Sequence, residues 1–168
     1  VHPVTQETLR ELVRSMNSYY SNRIEGQSTS PLNIERALKR EFSAESDTAR
    51  LQRLALAHIE AERELEKRAS AGENPLTVAF LRAAHSALYA RLAPEERMSE
   101  GRVIEPGGIR SEDVAVGRHV PPRAESLPRF FARLDEAYRP TRSWDMRLIA
   151  AACAHHRVAW VHPFLDGN

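Results

Sequence analysis

A chain of 168 residues that is 42% hydrophobic and 28% charged carries enough apolar material for one buried core with a small appendage, and too much to stay disordered. Its 24 Lys and Arg against 23 Asp and Glu leave a formal net charge of +1, so no basic excess argues for a nucleic-acid surface. No apolar run approaches the roughly 20 residues needed to cross a bilayer, and the opening VHPVTQETLR lacks the apolar stretch of a secretory signal. The expected location is therefore the cytoplasm, with no membrane role.

The periodicity is helical almost throughout. Residues 5–25 carry Leu9, Leu12, Val13, Met16 and Tyr20 at three- and four-residue steps, which predicts a first helix with those side chains on one face and Gly26 as its left-handed stop. Ser30 and Pro31 form a cap-and-proline start for a second helix, marked by Leu32, Leu38 and Phe42. Ser46 or Asp47 would cap a third, with Leu51, Leu54, His58, Ala61 and Leu65 as its stripe and Gly72 as its end. Glu62, Glu64, Glu66 and Lys67 read as its solvated face. Asn74 and Pro75 open a fourth helix that uses Leu76, Phe80, Ala84, Leu88 and Leu92. His85, alone beside that stripe, reads as a structural histidine that finds a hydrogen bond.

Between residues 93 and 126, prolines and glycines rule out a long helix. VAVGRHVPP alternates apolar and other residues around Gly117, and it is the one segment expected to form a hairpin. Helices resume over residues 127–138 and from residue 143 or 144 to 161. The single Cys153 lies in LIAAACA and is expected to be a small buried hydrophobe. The fold class is all-α with one short β-hairpin.

The stretch HPFLDGN, residues 162–168, carries chemistry. Proline pushes the residue before it out of the helical region, so His162 is expected just past the end of a long, packed helix. A rigid mounting suits a proton acceptor whose ordinary pKa lies near neutral. Asp166 offers a hard oxygen ligand, better matched to magnesium on a phosphate than to zinc. Gly167 and Asn168 tolerate unusual dihedrals and would let consecutive amides converge on an anion. On residue types alone the stretch reads either as phosphate chemistry with a general base or as a helix stop and turn, and the latter is the commoner use of such residues.

AHHRVAWVHPFLDGN resembles the start of the signature loop of Fic domains (filamentation induced by cAMP), which runs His, any residue, Phe, any residue, Asp or Glu, Gly, Asn, Gly and on to Arg. The match falls on His162, Pro163, Phe164, Asp166, Gly167 and Asn168. Upstream, GGIRSEDVAVGRHVPPRAESLPRFFARL is similar to the family's arginine turn, flap and following helix, so the resemblance covers most of the chain from about residue 74. It implies that His162 takes a proton from a target hydroxyl as it attacks the α-phosphate of ATP, transferring AMP. It implies further that Asp166 holds the Mg2+ bridging the phosphates, that Gly167 and Asn168 begin the anion nest, and that Phe164 packs inward to support the loop. Val114, Ala115, Val116, Gly117, Arg118, His119 and Val120 would form a flap that pairs with a segment of the target protein.

SNRIEG, residues 21–26, is by itself a frequent pattern at a helix end. Beside the signature loop it resembles the family's inhibitory motif, placing Ser21, Glu25 and Gly26 in a switch whose glutamate occupies the arginine that grips the γ-phosphate. That arginine belongs to the second half of the signature, after Asn168, so the expectation is a fragment ending inside the loop. On this reading residues 1–45 are the N-terminal region with the inhibitory motif, and residues 46–168 are the core. The resemblance leaves open AMP removal, other phosphate-linked transfers on the same scaffold, an inactive interaction module, and assembly as a homo-oligomer.

Overall fold

In the computed structural model, residues 2–27, 29–138 and 143–168 are described. Caps, prolines and glycines set most helix boundaries. His2 Nδ1 accepts the Val4 N–H at 3.3 Å and Pro3 fills the first position, so α1 (Pro3–Ile24) opens two residues before the expected start. Gly26, at φ 71°, ends it as expected. Ser30 caps α2 (Pro31–Leu38) through Asn33 N–H. In α3 (Ser46–Ser70) the capping position is Glu45, without a side-chain cap bond, rather than Ser46 or Asp47. Thr77 Oγ1, not Asn74, caps α4 (Val78–Tyr89), while Asn74 Oδ1 holds Leu76 N–H in the preceding turn. Helices α5 (Leu127–Ala137) and α6 (Trp144–Val161) fall where the periodicity put them.

The apolar stripe of α1 does not face the core. Leu9, Leu12, Val13, Met16 and Tyr20 are all exposed, and the buried residues of this helix are Arg14 and Ser18. The reason is a polar seam against α3. Arg14 pairs with Glu11 and Glu66, Arg63 pairs with Glu11, Asn17 reaches Glu62, and Ser18 Oγ donates to the Ala55 carbonyl at 3.1 Å. Glu62 and Glu66 therefore hold α1 through Asn17 and Arg14, and Glu64 pairs with Arg91, so three of the four charges expected on a solvated face are partnered, while Lys67 stands exposed as expected. Leu32 and Phe42 are likewise exposed, and Ile34 and Ala37 anchor α2 instead.

Helix α3 is the spine, touching α1, α2 and α4, with α5 lying against both α4 and α6. The core consists of small clusters. Ile34, Ala55 and Ile59 join α2 to α3, Ala57, Tyr89, Leu92 and Ile104 join α3 to α4, and Leu134, Tyr138 and Ala154 join α5 to α6. Only Ala154 and Val161 of α6 are buried, and Leu148, Ile149 and Trp160 stand exposed, so this helix is packed along one line rather than all round. Cys153 is exposed, against expectation, because it lies off that line.

The all-α class with one hairpin holds, but the paired strands lie elsewhere. They are β1 (Met98–Ser99) and β2 (Arg102–Val103), antiparallel, with Met98 opposite Val103. Glu100 at φ 49° and Gly101 at φ 79° make the two-residue connection, the positive-φ pair that the twist of a tight hairpin favours. VAVGRHVPP instead forms a single antiparallel bridge, Val116 to His119, around Gly117 at φ 59°. No helix among the described residues is long and apolar enough to cross a membrane.

Candidate active site

Helix α6 ends at Val161, and His162 is its cap in a left-handed conformation, φ 51° and ψ 66°, with its N–H on the Val158 carbonyl. A non-glycine residue there costs about 1 kcal/mol or more. The compensating bonds come from Arg110, whose Nε donates to the His162 carbonyl at 2.7 Å and whose backbone N–H donates to Pro163 O at 3.0 Å. Burial foremost, then the charges of Arg110 and His119, push the His162 imidazole below its ordinary pKa; Asp166 and the Ala159 carbonyl oppose them. That direction favours the neutral imidazole, the form a general base needs.

Beyond His162 the loop closes on itself. Asn168 Oδ1 accepts the Phe164 N–H at 2.7 Å and Asn168 Nδ2 donates to the Phe164 carbonyl at 3.0 Å, so this side chain braces the loop. Gly167 N–H donates to Asp166 Oδ1 at 2.7 Å. Phe164 is 1% exposed and stacks on His85 with ring centroids 3.9 Å apart, the inward packing role expected of it. His85 stacks in turn on Tyr89 at 4.5 Å. Its Nδ1 accepts the Gly107 N–H at 2.8 Å, which leaves Nε2 to donate to the Asp166 carbonyl at 3.2 Å. His85 is structural, as read from the sequence, and the hydrogen bonds it finds tie the loop down.

Gly167 is needed sterically. Its φ is 68°, and a Cβ there would lie 2.6 Å from Tyr89 Cε2 and 2.7 Å from Tyr89 Oη. The Tyr89 phenol is raised by burial first, then by the charges of Asp166 and Glu25. Glu25 itself is exposed at the end of α1, with Ser21 and Gly26 beside it in the same turn.

Asp166 is partly exposed and keeps one carboxylate oxygen beyond the bond to Gly167. Among the described residues no three His, Cys, Asp or Glu side chains converge as a protein-built metal cage. The donor set suits Mg2+ held by one carboxylate and completed by substrate phosphates and water. Of the residues singled out in sequence, the structure sets His162 at the end of α6, packs Phe164 inward and places Asp166, Gly167 and Asn168 on the same loop, while Arg110 and Tyr89, which brace it, were not singled out individually. The i, i+4 spacing of His85 and Tyr89 was the available signal for the ring stack. Arg110, reaching only carbonyls, left none beyond its turn.

The fold is helical, and its histidine, carboxylate and glycine turn share one loop at the end of α6. Residues 75–168, more than half of the chain, match the Fic/DOC family model, and the chain belongs to that family. It is also similar to curated proteins named protein adenylyltransferase Fic. Against that of Drosophila ananassae it is 38% identical over 66 residues, 39% of this chain and 13% of the relative. Those of Drosophila grimshawi and Drosophila yakuba are 36% identical over 66 residues, 39% of this chain and 14% and 13% of the relatives. The chain thus spans about one seventh of the length of the curated relatives it matches.

Proposed function

We propose that this chain carries the catalytic loop of a protein adenylyltransferase, which transfers AMP from ATP to a hydroxyl side chain of a target protein. The observation that carries the reading is His162 in a left-handed cap at the end of α6, its carbonyl held by Arg110, four residues before Asp166. In the reaction the target hydroxyl oxygen forms a bond to the α-phosphorus, its proton passes to a ring nitrogen of His162, and the bond to pyrophosphate breaks. Asp166 would hold Mg2+, which supplies charge neutralisation on the phosphates when bound. Gly167 and the Asn168 brace shape the loop for those phosphates, and Phe164 keeps it seated on His85. The similarity to proteins named adenylyltransferases supports the choice of AMP.

Residues 114–120 are the proposed docking flap. One bridge leaves most of its backbone unpaired, and Val116 and Val120 are exposed at 41% and 76%, which suits pairing with an extended target segment. Ser21, Glu25 and Gly26 are proposed as the inhibitory switch, with residues 1–45 regulating the core of residues 46–168. The support is the motif itself, SNRIEG at the end of α1, with Glu25 exposed there. The test is intact-mass spectrometry of the full-length protein after incubation with ATP and Mg2+. A mass increase of one AMP per modified hydroxyl is expected in the Glu25→Gly variant, and an unchanged mass there, in protein that binds ATP, would sink the proposal.

A further inference from the structure

Arg110 is 3% exposed, yet no carboxylate pairs with it among the described residues. Its guanidinium goes to carbonyls alone. Nε reaches His162 O at 2.7 Å, Nη1 reaches Glu112 O at 2.7 Å, and Nη2 reaches Pro122 O at 2.5 Å and Val161 O at 3.3 Å. Glu112 and Pro122 flank the flap, and Val161 and His162 end α6. One planar fork therefore ties both roots of the flap to the last turn of the helix that carries the base. Its rigid five-donor geometry is what a lysine could not reproduce.

A second tie runs parallel. His119 Nε2 donates to the Trp160 carbonyl at 2.8 Å. The last carbonyls of a helix lack intrahelical partners and are usually met by water or by a cap on the same segment. Here Trp160, Val161 and His162 all give theirs to side chains of residues 110–119.

We propose that Arg110 is the positioning residue of this site: by binding the end of α6 and both roots of the flap, it sets where a docked target hydroxyl meets His162. The assignment rests on the AMP-transfer reading. His119, half-buried in the flap, reinforces it from the other side. Charge follows geometry. Burial first, then the Arg110 cation, disfavours imidazolium at His162, while Asp166 and the Ala159 carbonyl favour it.

The test uses Arg110→Lys and Arg110→Gln in the full-length protein, with self-modification by α-phosphate-labelled ATP as the readout across pH. Both variants lose the fork, and a misplacement of about 1 Å costs on the order of 10²-fold in rate, so both should fall by about that factor at saturating ATP. The ATP concentration for half-maximal rate should stay unchanged. Arg110→Gln alone, having lost the cation, should move the acid limb of the profile to higher pH, with a matching rise in the His162 ring titration by NMR. Arg110→Lys should leave both where they are. Wild-type rates and limb in folded variants would overturn the proposal, as would equal losses in rate and ATP affinity. Should Arg110→Gln not fold, His119→Gln reads the second tie. It should lower the rate at saturating ATP while leaving the ATP concentration for half-maximal rate unchanged, and an unchanged rate would overturn the proposal. If His162→Ala labels as wild type does, the AMP-transfer reading falls. If His162→Ala is inactive while Arg110 and His119 substitutions are silent, only this inference falls.

Discussion

Substituting His85 separates the two ways it supports the catalytic loop. His85→Phe keeps a ring between Tyr89 and Phe164 but removes the acceptor for Gly107 N–H and the donor to Asp166 O. A buried donor left without a partner costs about 1 to 3 kcal/mol, and the lost bond to Asp166 adds about 1 kcal/mol. His85→Gln keeps an acceptor and a donor but loses two stacked contacts, each about 0.5 to 1.5 kcal/mol. His85→Ala loses both sets, so its cost should approach the sum of the other two, about 3 to 7 kcal/mol. For a domain of this size about 1 kcal/mol shifts Tm by roughly 2 to 4 °C. His85→Phe should therefore melt at least about 4 °C lower by circular dichroism, and His85→Ala at least about 6 °C lower. If His85→Phe melted within about 1 °C of wild type, the Gly107 bond would be energetically idle and His85 would not be the brace described.

Glu25→Gly in the full-length protein should raise self-labelling at least about tenfold, equivalent to about 1.4 kcal/mol of released inhibition; unchanged labelling in folded, ATP-binding protein would return SNRIEG to an ordinary helix end. Burial lowers the pKa values of His58, His85 and His162 below their common ordinary value of 6.5. The unfolded chain then takes up protons first as pH falls, so their contribution is fully present above that value and is lost below it. Tm should drop between about pH 7 and pH 5, and a Tm that rises over that interval would contradict the three burials. Arg14→Ala strips the buried partner from Glu11 and Glu66, and hydrogen exchange should speed up across residues 3–24 while residues 144–161 are unaffected; equal protection in variant and wild type would mean that the ionic seam does not hold α1.

Local chemistry made much of this fold legible. Ser30, Pro31 and Gly26 act on their own turns, so their effect reads directly from sequence, and the ends of α5 and α6 followed the same way. Tertiary choice hid the rest. Nothing in Leu9, Leu12, Val13, Met16 and Tyr20 announces that α1 turns its charged side to α3, because the decision rests on Glu62 and Glu66 far along the chain. Cys153 sits in an apolar run whose packed line happens to be Ala150, Ala154 and Val158. The paired strands at residues 98–103 are two residues each, too short for alternation to register. The site divides similarly. His162 to Asn168 are contiguous and carry their own pattern, whereas Arg110 is marked only as part of a turn, because its partners are backbone carbonyls, which every residue type possesses.

The central claim is that His162 accepts the proton as the α-phosphate of ATP is attacked. Parallel labelling of the full-length Glu25→Gly protein, with and without His162→Ala, using ATP labelled at the α- or the γ-phosphate, tests it most directly. Removing a general base costs on the order of 10² to 10⁴ in rate. Label should transfer from the α-position only, fall by that factor with alanine at residue 162, and leave ATP binding intact. Transfer of the γ-label, or α-labelling undiminished by the substitution, would contradict the account.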